Sequence, residues 1–118
     1  MASKRTDTVN VAVTAERAQR LFRMLNLLGK GPQTRIALTR KLRLAVRGFY
    51  RDLETLRDVG ISIKLQDSRY TLQDDLAAAL LRLPFPDPGL TLGEARQLAR
   101  GRLVVHRKIQ ALLEKVEK

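Results

Sequence analysis

The sequence predicts a mainly α-helical fold with a small β wing, and three observations favour it. Apolar residues recur at intervals of three and four along several segments, which is the spacing of helices that bury one face. Residues 61–72 instead alternate apolar and polar side chains around a polar turn, as the strands of a hairpin do. Hydrophobic residues make up 44% of the 118 residues and aromatic residues only 4%, so the core must be mostly aliphatic.

The first predicted helix follows a basic N-terminal arm over residues 1–13. Alternating valines in that arm allow either a short strand or an unstructured segment. Thr14 is a good N-cap residue for the helix, Gly29 ends it, and Pro32 prevents its continuation. The predicted buried residues are Leu21, Leu25 and Leu28, with Phe22 and Met24 at the edges of the stripe.

Two further helices are predicted over residues 35–42 and 46–59, joined by a turn at 43–45. Thr34 is the expected cap of the first of them. Gly60 is in position to end the second, because glycine readily adopts the left-handed conformation that closes a helix. The side chains expected to face the core are Ile36, Leu38, Leu42, Phe49, Leu53 and Leu56.

A short hairpin is predicted next, with strands over residues 61–66 and 70–72 and a turn at 67–69. Two helices joined by a tight turn and followed by a hairpin are the order of elements in a winged helix-turn-helix domain, whose recognition helix lies in the major groove of DNA. We therefore expect residues 14–73 to form such a domain, with 46–59 as its recognition helix.

The remaining residues are predicted to form a C-terminal helical extension. A connecting helix spans 74–83, where the carboxylates of Asp74 and Asp75 suit the positive helix N-terminus and indicate a structural role, not acid–base chemistry. A rigid linker rich in proline spans 84–90, and a last helix spans 91–118.

The last helix is predicted to begin with a capping box formed by Thr91 and Glu94, and Gly101, in its middle, could divide it in two. Helix-turn-helix proteins commonly bind DNA as dimers, and this helix is the expected dimerisation element. The alternative is that it packs onto the first helix of its own chain. The residues predicted at a homodimer interface are Leu98, Val105, Ile109, Leu112 and Val116.

The charge of the chain is strongly positive and unevenly distributed. The net charge is +11, and residues 30–51 contain seven basic residues and no acidic one. A concentrated positive field favours a polyanionic partner. Since the basic segment coincides with the predicted helix-turn-helix, double-stranded DNA is the expected partner.

Several functional classes lack the residues that they need. The chain has no cysteine and a single histidine, His106, so neither an enzyme nor a metal or other cofactor is expected. The longest apolar run, over 76–81, is far shorter than the roughly 18 residues of a membrane span. Without such a span or a secretory signal, a cytoplasmic location is expected.

The exposed face of the predicted recognition helix carries candidates for base recognition. Arg47 and Arg51 share one face, and arginine commonly reads guanine through O6 and N7. Tyr50 could contact a thymine methyl group or a phosphate, and Glu54 could accept from cytosine N4. The alternative is that these side chains contact only phosphates or solvent. The predicted base contacts are Arg47, Gly48, Tyr50, Arg51 and Glu54.

Residues around the predicted helix-turn-helix are expected to contact phosphates, which position a protein on DNA without specifying sequence. Arg69 is placed at the tip of the wing, where it either borders the minor groove or is solvated. Asp52 and Asp58 are expected to form salt bridges with arginines. The predicted phosphate contacts are Thr34, Arg35, Arg40, Lys41, Arg43, Lys64 and Arg69.

One stretch of the chain carries a recognisable pattern. Its members are Leu42, Leu44, Arg47, Phe49, Tyr50, Arg51, Asp52, Leu53, Leu56, Gly60, Ile61 and the closing Tyr70, Thr71 and Leu72. This pattern resembles the N-terminal winged helix of WYL-domain transcription regulators and of the related DeoR-type repressors. The resemblance covers about residues 15–73, and more weakly 90–96, and it implies a DNA-binding regulator.

The chain departs from that pattern at three positions. Ala45, Gly48 and Arg43 stand where those families have serine, threonine and glycine. In addition, a WYL ligand-sensing domain would begin near Lys118. The chain is therefore expected to be either a fragment or a short form without a small-molecule ligand domain.

The expected function is sequence-specific binding of double-stranded DNA by a homodimeric transcription regulator. One alternative is an RNA-binding or ribosome-associated module that uses the same basic face, although sequence-specific RNA recognition favours several stacking aromatic residues and only Tyr50 is well placed. Another is a winged-helix protein-interaction module, against which the uninterrupted basic segment counts.

Overall fold

The computed structural model describes residues 13–86, 90–100 and 104–117, and of 104–106 the backbone only. The described part of the chain is mainly helical with one small antiparallel sheet of three strands, as the sequence predicts. The predicted arm and the strand at Val9 and Val11 lie outside the described residues. In chain order the elements are α1 (Ala15–Gly29), β1 (Gln33–Thr34), α2 (Arg35–Leu42), α3 (Val46–Asp58), β2 (Ile63–Gln66), β3 (Arg69–Leu72), α4 (Leu76–Leu80), α5 (Leu92–Leu98) and α6 (Val104–Val116).

Helix α1 is the central element of the core and begins and ends as predicted. The side chain of Thr14 accepts a hydrogen bond from the backbone N–H of Arg17 at 3.1 Å, which caps the helix. The predicted stripe of Leu21, Leu25 and Leu28 is buried. Met24 is also fully buried, so its predicted place at the edge of the stripe is wrong, because helices pack against α1 on more than one side.

Helix α2 has the predicted bounds, and Leu38 and Leu42 are buried as predicted. The expectation that Ile36 faces the core is wrong, since its side chain is 59% exposed. Each residue turns an α-helix by about 100°, so Ile36 and Leu38 lie nearly opposite each other and cannot both face one core.

The turn between α2 and α3 places Arg43 in the left-handed region, at a φ of 54°. The backbone N–H of Leu44 donates to the carbonyl of Thr39, and that of Arg43 to the carbonyl of Arg40, which closes α2 in a Schellman motif. This is the position where the resembling families have glycine. A non-glycine residue in this conformation costs roughly 1 kcal/mol.

Helix α3 ends one residue before its predicted end, with Val59 as its cap and Gly60 at a φ of 91°. The backbone N–H of Ile61 donates to the carbonyl of Leu56, so that a second Schellman motif turns the chain towards the sheet. The predicted stripe of Phe49, Leu53 and Leu56 is buried, and it packs α3 against the core.

The sheet has the strand order β1–β3–β2, with both pairs antiparallel. Strands β2 and β3 form the predicted hairpin, and Asp67 and Ser68, both with positive φ, form its tight turn. Arg69 is therefore not at the tip, as predicted, but is the first residue of β3 and pairs with Gln66. Strand β1 is absent from the prediction, because two residues are too short to show an alternation.

The C-terminal segments are packed more closely than the sequence predicts. Helix α4 ends at Leu80, three residues early, and Asp75 caps it. The predicted linker over 84–90 is not a simple spacer, since Phe85 is only 1% exposed and its backbone N–H donates to the carbonyl of Leu90. Residues 87–89 of this segment lie outside the described part. A buried aromatic ring anchors the segment to the core.

The predicted last helix is two helices, α5 and α6, which pack against each other, and α6 also packs against α1. The predicted capping box of Thr91 and Glu94 is present. Gly101, the predicted break, lies outside the described residues. Arg96 on α5 and Glu117 after α6 form a salt bridge at 2.6 Å. This arrangement agrees with the alternative prediction, in which the last helix packs onto the first helix of its own chain.

Dimerisation through α6 stays a prediction. Val116 is 2% exposed within the single chain, so it offers no free surface to a partner. Ile109 and Leu112 are half-buried and Leu98 is 38% exposed, whereas the side chain of Val105 lies outside the described part. No helix among the described residues is long and apolar enough to cross a membrane.

Candidate nucleic-acid interface

Helix α3 presents a charged face to solvent, opposite its buried stripe. Arg47, Arg51 and Glu54 are exposed and recur at intervals of four and three residues, which places them on one side of the helix. Phe49 and Leu53 fix the other side against the core, being 0% and 3% exposed. The structure therefore brings together the charged side chains that the sequence predicts as base contacts.

One flank of α3 is held by polar contacts with α2 and the sheet. The Nη1 of Arg35 donates a hydrogen bond to the Oη of Tyr50 at 3.2 Å. The ring of Phe49 meets those of Tyr50 and Tyr70 edge to face, with centroids 5.2 Å and 5.3 Å apart. These contacts connect α3 with the first residue of α2 and with strand β3.

The pKa values of the two tyrosines in this cluster are shifted in opposite directions. The hydrogen bond from Arg35, followed by one from Tyr70, lowers the pKa of Tyr50 below its usual value of 10.0. Burial, followed by the hydrogen bond with Tyr50, raises the pKa of Tyr70. The hydrogen bond to Tyr50 likewise raises the pKa of Arg35. The Tyr50 hydroxyl thus accepts from Arg35, and both Arg35 and the Tyr70 hydroxyl favour its ionised form.

The other flank of α3 is held by a buried ionic cluster with α1. The carboxylate of Asp52, which is 0% exposed, accepts from Arg17 at 3.0 Å and from Arg20 at 2.6 Å. Arg17 also donates to the hydroxyl of Thr55 at 2.6 Å and to the carbonyl of Arg51 at 3.5 Å. The predicted salt-bridge role of Asp52 is confirmed. Two arginines for one carboxylate leave the cluster with a net positive charge.

Asp58 does not share the role of Asp52. Among the described residues, Asp58 has no lysine or arginine nitrogen within 4.0 Å, so the predicted salt bridge of Asp58 is not formed within this part of the chain. Asp58 is exposed at the end of α3, where a carboxylate remains hydrated without a partner. Asp74 and Asp75 have the structural roles that the sequence predicts: Asp74 accepts from the backbone N–H of Ser62 at 2.9 Å, and Asp75 caps α4.

The residues predicted to contact phosphates surround α3 on the surface. Arg40 and Lys41 in the last turn of α2, Arg43 in the turn, and Lys64 and Arg69 on the hairpin are all exposed. Thr34 is half-buried, and its hydroxyl is occupied as the cap of α2, accepting from the backbone N–H of Ala37 at 3.1 Å. A phosphate could therefore be bound by Thr34 only through its backbone, or through a hydroxyl that also caps the helix.

Gly48 differs from the other predicted base contacts, because it is half-buried and lies close to the turn before α3. A Cβ atom at this position would lie 3.2 Å from Cδ2 of Leu44. The glycine thus permits a close approach between the first turn of α3 and the Leu44 side chain.

Sequence reasoning missed three exposed apolar side chains at this surface. Val46, at the first position of α3 and directly before Arg47 in the chain, is 49% exposed. Ile36 and Leu65 are 59% and 53% exposed, and with Tyr50 they line a groove of about 390 Å³ between α2, α3 and the hairpin. The remaining residues that line the groove are Thr34, Arg35, Ser68 and Tyr70.

A signal was present for Ile36, which is out of phase with Leu38 on α2. Val46 is in phase with Phe49 and Leu53 on α3, but it is the first residue of the helix and lies at the end of the buried stripe. Leu65 follows the alternation of Ile61 and Ile63, but it lies towards the end of the hairpin, beyond the core that the helices provide.

No group of three or more potential metal ligands is close enough together to hold an ion in the part of the chain that the structure describes. No known protein family, curated protein or solved structure matches this chain.

Proposed function

We propose that this chain is a winged helix-turn-helix protein that binds double-stranded DNA and regulates transcription, with α3 in the major groove. The observation that carries the proposal is the cationic face of α3, held by polar contacts on both of its flanks. The order α1–β1–α2–α3–β2–β3 supports it, because a helix-turn-helix followed by a hairpin is the order of winged-helix domains.

The distribution of charge also supports the proposal. From residue 17 to residue 51 the chain contains ten basic residues and no acidic one, and this segment includes most of α1, all of α2 and the first half of α3. Duplex DNA carries a dense line of negative charge, and neutralising its phosphates releases counterions. A continuous basic surface therefore supplies the affinity that does not depend on sequence.

The residue roles follow from exposure and chemistry. Arg47 and Arg51 reach base edges from the first two turns of α3, where each guanidinium can donate to guanine O6 and N7. Glu54, one turn further on, accepts from cytosine N4. Val46 contacts a thymine methyl group, since its exposed side chain offers only apolar surface.

Backbone contacts have a different role from base contacts. Arg35, Arg40, Lys41 and Arg43 bind phosphates on one side of α3, and Lys64 and Arg69 do so from the hairpin. These contacts fix the register of the protein on the duplex. The specificity for sequence depends on the exposed face of α3.

The test measures the affinity for random-sequence duplex DNA as a function of salt concentration. Arg47→Ala/Arg51→Ala is compared with a matched control, Arg100→Ala/Arg107→Ala, which removes two exposed arginines, one that follows α5 and one on α6. We expect the logarithm of affinity to fall with the logarithm of salt, with a slope of about −0.9 for each phosphate neutralised. The α3 variant should also lose the tight sites that the wild type selects from a random pool, and the control should keep them.

Three outcomes would contradict the proposal in whole or in part. Absence of salt-dependent binding to duplex DNA at about 50 mM salt would remove its electrostatic basis. Equal binding to double-stranded RNA of the same sequence would favour the RNA-binding alternative. Selection of the same DNA sites by Arg47→Ala/Arg51→Ala would leave DNA binding in place but remove α3 as the reading helix.

A further inference from the structure

Half of the large exposed apolar side chains on the described surface lie at one place. Six large hydrophobic residues of the described part are more than a third exposed, and three of them, Ile36, Tyr50 and Leu65, line the groove between α2, α3 and the hairpin. Water is a poor environment for such a cluster, and contiguous exposed apolar surface commonly marks an interaction site. We refer to the space that these residues line as the wing groove.

The polar side chains that line the wing groove are one guanidinium and four hydroxyls, and none of them is an anion. Arg35 is the one charged residue among those that line it, and the Tyr50 hydroxyl lies 3.2 Å from the Arg35 guanidinium. No carboxylate is among the lining residues. The wing groove therefore combines apolar walls with a cationic rim, and Tyr50 connects it to the charged face of α3.

A nucleotide of a DNA backbone has the matching chemistry, with an anionic phosphate beside a sugar whose C2′ carbon carries only hydrogen. We propose that the wing groove holds one deoxyribose-phosphate unit of the duplex, with Arg35 on the phosphate and Ile36 and Leu65 against the sugar. This inference rests on the proposed function and deepens it, because it assigns part of the preference for DNA over RNA to two apolar side chains.

The discrimination follows from the cost of burying an unpaired hydroxyl. A ribose in the same place would press its 2′-hydroxyl against Ile36 and Leu65, neither of which can donate or accept a hydrogen bond. Burying a hydroxyl without a partner is unfavourable, and the 2′-hydroxyl is the group by which proteins distinguish RNA from DNA at a given site.

A protein segment is the competing occupant of the wing groove. A segment that satisfied Arg35 would have to be acidic, and it would also have to approach the cations of α3, which the proposed function assigns to DNA. Continuity with the DNA-facing surface favours the nucleotide. Binding of an acidic peptide in place of duplex DNA would be an outcome that overturns the proposal.

The experiment uses Ile36→Ser/Leu65→Ser in the full chain. Both side chains are more than half exposed, so the folded state should be retained, and the melting transition is measured to verify it. The matched control is Leu81→Ser/Leu98→Ser, which changes two other exposed leucines, 44% and 38% exposed, that do not line the groove. If the double variant does not fold, the single variants Ile36→Ser and Leu65→Ser are measured in its place.

The probes are a random-sequence DNA duplex and the same duplex with isolated ribonucleotides in both strands, each measured over a range of salt. Ile36→Ser/Leu65→Ser should bind the DNA duplex about tenfold more weakly, the effect of roughly 1.4 kcal/mol, with an unchanged salt slope. An apolar contact releases no counterions, which is why the slope is informative. Arg35→Ala should instead reduce the slope by about 0.9. The wild type should disfavour the ribonucleotide duplex, and the groove variant should do so less.

The outcomes separate this inference from the function on which it rests. If the wild type shows no salt-dependent binding to DNA, the proposed function fails. If the wild type binds and Ile36→Ser/Leu65→Ser has the affinity of the wild type, or discriminates equally against ribonucleotides, the wing groove does not hold a deoxyribose. A reduced salt slope in that variant would also contradict the inference, because it would show that ionic contacts had changed.

Discussion

Tyr50 illustrates how single residues connect the elements around the proposed DNA-binding face. Its ring packs edge to face against that of Phe49, its hydroxyl accepts from Arg35, and the hydroxyl of Tyr70 contributes to its lowered pKa. The position of its side chain therefore depends on α2, α3 and β3 together. Its acidity reports on that arrangement, because the guanidinium of Arg35 stabilises the phenolate.

The two tyrosines should ionise in separate steps. The chain has two tyrosines and no tryptophan, so ultraviolet absorbance at high pH follows these side chains directly. The pKa of Tyr50 is lowered from 10.0 and that of Tyr70 is raised, so we expect Tyr50 to ionise first. Arg35→Gln should move the first step to higher pH, because it removes the guanidinium whose hydrogen bond contributes most to the lowered pKa of Tyr50.

Arg40→Gln is the control for the titration, since Arg40 is exposed on the same helix and does not contribute to the lowered pKa of Tyr50. It should leave both steps in place. Equal shifts in the two variants would mean that net charge, and not the hydrogen bond, sets the first step. Because the Tyr70 pKa is higher in the folded chain than its ordinary 10.0, folding keeps Tyr70 protonated, and this contribution to stability is lost as the pH rises above about 10.

Helix α3 is positioned by three kinds of contact on three of its sides. The apolar stripe holds it against the core, the Tyr50 cluster holds one flank, and the Asp52 cluster holds the other. Since about 100° separate successive residues, these contacts together fix the rotation of the helix about its axis. The fourth side is the charged face.

Asp52→Asn should lower the free energy of unfolding by about 2 kcal/mol. The amide keeps the size of the carboxylate but leaves Arg17 and Arg20 without an ionic partner, and breaking a buried ion pair is strongly destabilising. Those arginines are 15% and 31% exposed, so water reduces the loss. Urea denaturation measures it. Glu54→Gln, the same chemical change on the exposed face of α3, should stay within about 0.5 kcal/mol of the wild type, and equal effects of the two variants would contradict the role of the cluster.

The sequence predicts the bounds of the helices near the charged face better than it predicts how these helices pack against each other. The bounds of α1 and α2 follow from Thr14, Thr34 and Gly29, because caps and glycines act within one turn of the helix. The partners of Asp52 could not be named, since Arg17 and Arg20 are more than thirty positions away in the chain. Local rules carry no information about which distant helix packs against which flank.

The wing groove could not be predicted from the sequence for a related reason. It exists because three separate elements meet, and one of its walls, Ile36, is an apolar residue that the prediction placed in the core. An apolar residue that is out of phase with its neighbours indicates either a second core or an exposed contact. The sequence alone gives no basis for choosing between them, because the choice depends on whether another element covers that side.

At the scale of the whole molecule, the C-terminal segments form part of the core that supports the proposed DNA-binding unit. Helix α6 packs on α1, α4 packs on α1 near Gly29, and Phe85 anchors the proline-rich segment. Helix α1 in turn carries the arginines that hold Asp52. A destabilising substitution in α6 should therefore lower the stability of the entire fold and not only that of the C-terminal extension.

Leu113→Ala tests this coupling. Leu113 on α6 is 6% exposed, and removing a buried leucine side chain costs about 2–3 kcal/mol through lost apolar contact and a residual cavity. Leu98→Ala, at a position 38% exposed on α5, should cost less than about 1 kcal/mol. Because α6 is packed within the single chain, the loss should appear in one cooperative transition whose midpoint does not depend on protein concentration. Thermal melting followed by circular dichroism, repeated at several protein concentrations, measures both quantities.

Two results would contradict this coupling. A midpoint that rises with concentration in the wild type and no longer does so in Leu113→Ala would place this leucine in a dimer interface. A separate early transition would show that α6 folds independently of α1.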